Sequence, residues 1–192
     1  MKEVFSMSEN MNKTENKSGI TSFCFDFVSI ITAAIVAVAL VFIFLFRTVG
    51  VVGSSMYPTL ENKDRIVLTA YYGEAKQGDI IVSCQPCGGI VPDVLIKRVI
   101  ATEGQKVDID FEKHIVYVDG VALDEPYINA PTEDREDFTG EVTVPEGHVF
   151  VMGDNRNKST DSRDNDVGFI REEYLLGKAL FRVAPFGKFK IG

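Results

Sequence analysis

The sequence predicts a mainly β protein, with a curved or barrel-like all-β domain behind a single amino-terminal transmembrane helix. Three observations predict it. Residues 27–46 carry no charge, and Ser29 and Thr32 are their only polar members. After Thr48, short runs of β-branched and aromatic residues recur between Gly, Asp and Pro punctuation, the texture of an all-β domain. Asp119-Gly120 stands between Ile115-Val116-Tyr117-Val118 and Val121-Ala122-Leu123, a strong signal for a two-residue hairpin.

The chain has 192 residues, enough for one domain or for one domain with a small satellite. Its formal net charge is −8. Residues 1–47 hold four basic and four acidic residues, so the whole −8 falls on the part after Arg47. An acidic domain of this kind argues against nucleic acid as a partner.

Residues 1–25 are polar, mixed in charge and without apolar periodicity, and are expected to be a disordered tail. Residues 26–47, bracketed by Asp26 and Arg47, are expected to be the membrane anchor. At about 1.5 Å per residue the uncharged run spans a hydrocarbon core of about 30 Å. It shows no polar stripe of the sort a soluble core helix carries. It exceeds the roughly 7–15 apolar residues of a signal peptide, and no small-x-small site follows Phe46. It therefore reads as an uncleaved anchor in a lipid bilayer. Lys13 and Lys17 on one side and Arg47 on the other leave its orientation undecided by charge.

Residues 48–192 form the β domain. Strands are expected at residues 64–70, 80–83, 94–101, 107–109, 115–118, 121–123, 142–144, 148–152 and 175–183, with a helical turn at 171–174 and an acidic loop at 129–141. Three cysteines are present, Cys24, Cys84 and Cys87. The Cys84-Gln85-Pro86-Cys87 pair has no second such pair, and the only histidines are His114 and His148, so a zinc site is not supported. Strands flank the pair, whereas a redox motif sits at a strand-to-helix start. A structural disulfide or two free thiols near a turn is the reading that remains. No metal or cofactor is expected.

Gly53-Ser54-Ser55-Met56-Tyr57-Pro58-Thr59-Leu60 begins just after the apolar run. Gly53 permits an unusual backbone angle, and Pro58 fixes its own φ and biases Tyr57 toward extended geometry. A serine on such a turn presents its oxygen at a defined angle. In the strand around Lys97, alternation puts Leu95, Lys97, Val99 and Ala101 on one face and Ile96, Arg98 and Ile100 on the other. A lysine among apolar neighbours loses preference for its charged form and can act as a general base near neutral pH. The loop from Gly153 through Asp154, Asn155, Ser159 and Asp161 to Arg163 is dense in short polar side chains, as a fixed loop requires. An Asp161–Arg163 ion pair would brace it. Arg156 and Lys158 occupy the alternate positions that a calcium loop gives to ligands, so calcium is excluded.

Ser55-Met56-Tyr57-Pro58-Thr59, Gly78-Asp79-Ile80-Ile81, Lys97-Arg98-Val99-Ile100-Ala101 and Gly153-Asp154-Asn155 with Ser159, Asp161 and Arg163 resemble, in order, the motif boxes of the bacterial type I signal peptidases. The resemblance runs from the anchor to near the carboxyl terminus. It implies a membrane-bound serine endopeptidase that removes signal peptides from exported preproteins, cutting after small-x-small sites. Ser55 would be the nucleophile and Lys97 its general base. Ser159 would orient the lysine amine, and Asp161 and Arg163 would hold that loop, with Asp154 and Asn155 in support. Gly53, Met56, Pro58, Val94, Leu95 and Ile96 would flank an extended peptide. The Ser55 N–H would stabilise the oxyanion. Some members place a serine hydroxyl two residues before the nucleophile, where this chain has Gly53, so a further backbone N–H or a water would complete the hole. The resemblance also implies a small β lobe at about residues 104–147. It implies a single-pass protein of the bacterial cell membrane, with its amino terminus cytoplasmic and the β domain outside.

The alternative in a different class is a catalytically silent, membrane-anchored β domain that binds exported peptides. Ser55 together with Lys97 counts against it. A self-cleaving repressor would carry a DNA-binding domain, and a sortase-like enzyme would need a cysteine with histidine and arginine.

Overall fold

The computed structural model describes residues 2–70, 73–84, 94–185 and 191. It falls into two compact units, Met1–Leu45 and Phe46–Gly192.

The first unit is a helix, α1, over Lys2–Leu45. Its segment Phe25–Leu45 is long and apolar enough to cross a membrane, and every side chain of that segment is exposed. Thr32 Oγ1 donates to Val28 O at 2.8 Å, so this hydroxyl is satisfied inside the helix, as an apolar surrounding requires. The helix continues back to Lys2 through residues whose composition predicts disorder. Once an apolar segment is helical, each further turn adds backbone bonds without a new nucleus. At the other end the helix stops at Leu45, and Phe46 and Arg47 leave the expected anchor to begin a strand.

The second unit contains two antiparallel sheets. One has seven strands: β1 (Phe46–Gly50), β2 (Arg65–Thr69), β3 (Ile80–Ser83), β4 (Leu95–Thr102), β9 (His148–Met152), β10 (Ile170–Arg171) and β11 (Leu175–Ala184). Their order is β1-β2-β11-β3-β4-β9-β10. The other has four strands: β5 (Lys106–Asp110), β6 (Ile115–Val118), β7 (Val121–Ala122) and β8 (Val142–Thr143), in the order β7-β6-β5-β8. It lies within residues 104–147. The mainly β fold behind one apolar amino-terminal helix is thus the one expected.

The hairpin between β6 and β7 turns on Asp119 (φ 51°) and Gly120 (φ 76°). Two consecutive left-handed residues match the twist of the flanking strands. The helical turn expected at 171–174 is a short 3₁₀ turn over Glu172–Tyr174.

β4 organises the interior. Leu95 and Val99 pack with Val149, Val151 and Ile170, while Ile96 packs on the cluster of Met56, Leu60, Leu68 and Val82. A bulge interrupts the β4–β9 register between Val99 and Ala101. Ile100 and Ala101 therefore share one cluster, with Val107, Val116, Phe138 and Phe150. Simple alternation puts Ala101 with Leu95, Lys97 and Val99, and the extra residue of the bulge corrects this. The bulge also lets one strand serve the cores of both sheets.

The Cys84–Cys87 pair lies partly outside the described residues; Cys84 itself is exposed.

Candidate active site

The segment after β1 folds into a tight turn held from three directions. Gly53 is left-handed (φ +93°), which favours glycine, and its N–H donates to Asn62 Oδ1 at 3.2 Å. Tyr57 N–H donates to Ser54 O at 3.1 Å, and Leu60 N–H to Met56 O at 2.8 Å. Met56 and Leu60 are 2% and 0% exposed, so apolar burial pegs the turn to the core. From the opposite side, Asn155 N–H donates to Ser55 O at 2.9 Å and Asn155 Nδ2 to Ser54 O at 3.0 Å. Thr59 Oγ1 donates to Asp154 Oδ2 in a short bond, and Arg182 Nη2 donates to Thr59 O at 2.8 Å. Ser55 is half-buried at the tip.

Lys97 is 4% exposed. Burial pushes its amine below the ordinary lysine value. The carboxylates of Asp161, Glu136 and Asp154 act the other way, while the Arg163 guanidinium adds to the lowering. Its neighbour Arg98 is also buried, and its Nε and Nη2 grip Asp154 at 2.8 Å each. Arg98 further donates to Gly78 O at 2.9 Å and stacks on Tyr127, 3.9 Å from its ring centroid. Two cations on one short stretch of strand thus differ in kind. Arg98 is fully compensated by a bidentate carboxylate, whereas Lys97 is mainly desolvated.

The 153–163 loop is bound together by Asp161 and Arg163, neither of whose side chains is exposed. Arg163 Nε donates to Asp161 Oδ1 at 2.9 Å, and Arg163 Nη2 to Asp161 Oδ2 at 3.0 Å. Ser159 Oγ donates to Asp161 Oδ2 at 2.8 Å, which leaves the serine oxygen free to accept. Gly153 N–H donates to the same carboxylate oxygen at 2.9 Å. A Cβ at Gly153 would come within 2.2 Å of Ser159 Oγ and 2.5 Å of Ser55 O. No side chain fits where these two loops meet.

The loops enclose a cleft of about 380 Å³ lined by Val49 to Met56, Val94 to Lys97, Lys158 and Thr160. Ser55 and Lys97 both line it, as do Gly53, Met56, Val94, Leu95 and Ile96. Pro58 is exposed and outside the lining; it shapes the turn rather than the wall. Ser159, Asp161 and Arg163 are buried behind it.

Sequence reasoning passed over the supporting part of Arg98, Thr59, Gly153 and Arg156. Arg156 is 1% exposed and donates to Glu125, Thr132 and Gly153 O. Alternation in β4 places Arg98 among Ile96 and Ile100, and an arginine among isoleucines signals a buried partner. The partners themselves lie far away in sequence.

A family model described as signal peptidase, peptidase S26, matches residues 24–184. The chain belongs to this family. As a member of the peptidase S26 signal peptidases it is a serine peptidase, a hydrolase that removes signal peptides. It is 34% identical over 192 residues to signal peptidase I T of Bacillus subtilis, covering 94% of this chain and 95% of that protein. It is 39% identical over 166 residues to the probable signal peptidase I-1 of a Synechocystis strain, covering 82% and 81% of the two chains. A crystal structure of a signal peptidase I from Enterococcus faecalis is 29% identical and covers 56% of this chain and 98% of that one, with a TM-score of 0.44.

Proposed function

We propose that this signal peptidase works as a membrane-anchored Ser55–Lys97 enzyme that cuts exported preproteins after small-x-small sites. The observation that carries the reading is a single cleft lined by a serine on a pinned turn and by a 4% exposed lysine whose amine burial keeps easy to deprotonate.

In the mechanism, neutral Lys97 takes the Ser55 Oγ proton as the oxygen attacks the scissile carbonyl. The Ser55 N–H faces the developing oxyanion. The intermediate collapses, the C–N bond breaks, and the Lys97 ammonium gives its proton to the leaving amine. The acyl group is then on Ser55. Lys97, neutral again, takes a proton from water, the hydroxide adds to the ester carbon, and Ser55 leaves with the proton that Lys97 returns. Asp161, Arg163 and Ser159 fix the loop facing the lysine, and Asn155 fixes the serine.

Backbone pairing supports extended binding of the substrate. β1 is an edge strand of its sheet. In β4, Leu95, Ile96 and Lys97 pair with β3, and β9 joins only from Arg98 onward. The two free strand sides border the cleft, so a peptide can add to them as a strand. Val49, Val51, Leu95 and Ile96 make apolar walls that suit alanine-sized side chains. Helix α1 serves as the anchor, with the amino terminus cytoplasmic and the β domain outside, as the family resemblance implies.

The test is mass spectrometry of a preprotein incubated with the detergent-solubilised chain. One cut after an Ala-x-Ala site, abolished when the residue before the cut is changed to Phe, is the expected result. A cut that ignores that residue would contradict the specificity. No cut by the wild type would favour the peptide-binding alternative.

A further inference from the structure

Between β7 and β8 the chain turns at Glu125-Pro126-Tyr127-Ile128. Ile128 N–H donates to Glu125 O at 3.3 Å, and Pro126, with its fixed φ, suits the second position of such a turn. Two side chains of the turn meet the catalytic loop. Glu125 takes Arg156 with both oxygens, Oε1 accepting from Nη2 at 2.5 Å and Oε2 from Nη1 at 3.1 Å. The side chains of this pair are 7% and 0% exposed. Tyr127 Oη donates to the same Oε1 at 3.2 Å. Burial, and after it the Glu125 charge, push the Tyr127 phenol up, so it stays protonated and remains the donor in that bond.

The Tyr127 ring lies against Arg98, whose guanidinium carbon is 3.9 Å from the ring centroid. The Arg156 guanidinium carbon is 6.0 Å from the same centroid, at the edge of the range in which a cation gains from a ring. These two arginines belong to the two segments that meet at the site. Arg98 follows Lys97 on β4 and grips Asp154. Arg156 Nε donates to Gly153 O at 3.0 Å. Asp154 in turn holds Thr59 of the serine turn, and Asn155 holds Ser55 O. The contacts therefore close on themselves, from Tyr127 through Arg98, Asp154, Gly153, Arg156 and Glu125 back to Tyr127.

The chain beyond the turn is sewn to the same loop. Arg156 Nη1 donates to Thr132 Oγ1 at 3.1 Å, and Asn157 Nδ2 to Pro131 O at 3.0 Å. Asn157 Oδ1 accepts from Glu133 N–H at 2.9 Å and from Asp134 N–H at 3.1 Å. Tyr127 is thus fixed relative to the 153–163 loop, and its ring carries that fixed position to Arg98 on the lysine strand. Tyr127 is not among the residues lining the cleft, so it acts without touching substrate.

We propose that Tyr127 is a positioning residue of the catalytic pair: its ring, tied by Glu125 to Arg156, fixes Arg98 relative to the 153–163 loop and so keeps Lys97 in register with Ser55. The inference rests on the Ser55–Lys97 reading. A catalytic pair needs its supporting side chains locked by packing and hydrogen bonds. Losing the ring leaves Arg98 with its carboxylate partner but without the surface that sets where the two arginines stand.

The experiment measures kcat and KM for preprotein cleavage by the full-length solubilised chain. Wild type is compared with Tyr127→Leu, Tyr127→Phe and Val116→Ala, at a temperature where circular dichroism shows all four folded. Val116 is buried in the core of the smaller sheet, so Val116→Ala reports the effect of weakening that sheet alone. Tyr127→Leu is expected to lose about 10- to 100-fold in kcat with KM unchanged. Tyr127→Phe keeps the ring face on Arg98 and should restore most of kcat, while Val116→Ala should keep it. A Tyr127→Leu enzyme with the wild-type kcat would overturn the proposal. So would a rise in KM alone, a Tyr127→Phe enzyme as slow as Tyr127→Leu, or an equal loss in Val116→Ala, which would make Tyr127 structural only. Wild-type rates in Ser55→Ala or Lys97→Ala would overturn the dyad and this inference with it, whereas an unaffected Tyr127→Leu beside inactive Ser55→Ala and Lys97→Ala would overturn this inference alone.

Discussion

Lys97 and Arg98 are adjacent cations on one strand, and their surroundings separate them chemically. Arg98 has a bidentate carboxylate partner in Asp154, while the largest influence on Lys97 is burial. In the proposed dyad the free base is the active form of Lys97. The rate should therefore rise with pH through an acid limb that lies well below the roughly 10.4 of a free lysine. A kcat/KM profile with its limb near the free-lysine value would contradict the buried base. Gly153 supplies a second prediction at this scale. Its added Cβ would strike Ser159 Oγ at 2.2 Å and Ser55 O at 2.5 Å, and a backbone oxygen has little freedom to move away. Gly153→Ala should displace the Ser55 turn from the Ser159 loop and reduce kcat by about 100-fold, the cost of a misplacement of about 1 Å. Cleavage kinetics check this, with circular dichroism to confirm the fold. The Asp161–Arg163 pair was legible in the sequence because its members are two residues apart on one loop. The Arg156 clamp was not, since its partners Thr132 and Glu125 lie 24 and 31 positions away and only the folded chain brings them together.

Among the elements, β4 and the 153–163 loop are coupled by buried charge. Asp154 joins Arg98 on β4 to Thr59 on the serine turn, and Arg182 on β11 joins Thr59 O to Asp64. Removing one member of a buried pair strands the other charge, at a cost of about 3–5 kcal/mol. Asp154→Ala should lose stability on that scale in urea unfolding. Glu141→Ala breaks the Lys106–Glu141 pair, whose side chains are 56% and 54% exposed, and should change stability by about 0–1 kcal/mol. Equal losses from both variants would mean that the buried clamp contributes no more than a surface pair. Most of these strands were legible because β-branched runs and turn residues bound them locally. β1 was hidden, because Phe46 continues the apolar run and only pairing with β2 draws it into the sheet. β10 has two residues, too few for any periodicity to register.

At the scale of the whole molecule, the apolar helix and the two-sheet β unit follow from patterns that need no knowledge of contacts between distant residues. The site depends on such contacts. Ser55, Lys97 and Asp161 come from three separated segments, and the polar bonds that gather them run between residues up to 123 positions apart. Motif resemblance ordered those segments, while the bonds of Asn155 and Arg98 explain why they meet. The central claim is that Ser55 and Lys97 act as one catalytic unit, and its most direct test is a cycle of cleavage rates for the wild type, Ser55→Ala, Lys97→Ala and the double variant. Each single variant should lose nearly all activity, and the double should be little slower than either, since neither residue works without the other. Single variants that keep wild-type rates, or a double variant whose loss equals the product of the two single losses, would contradict the dyad.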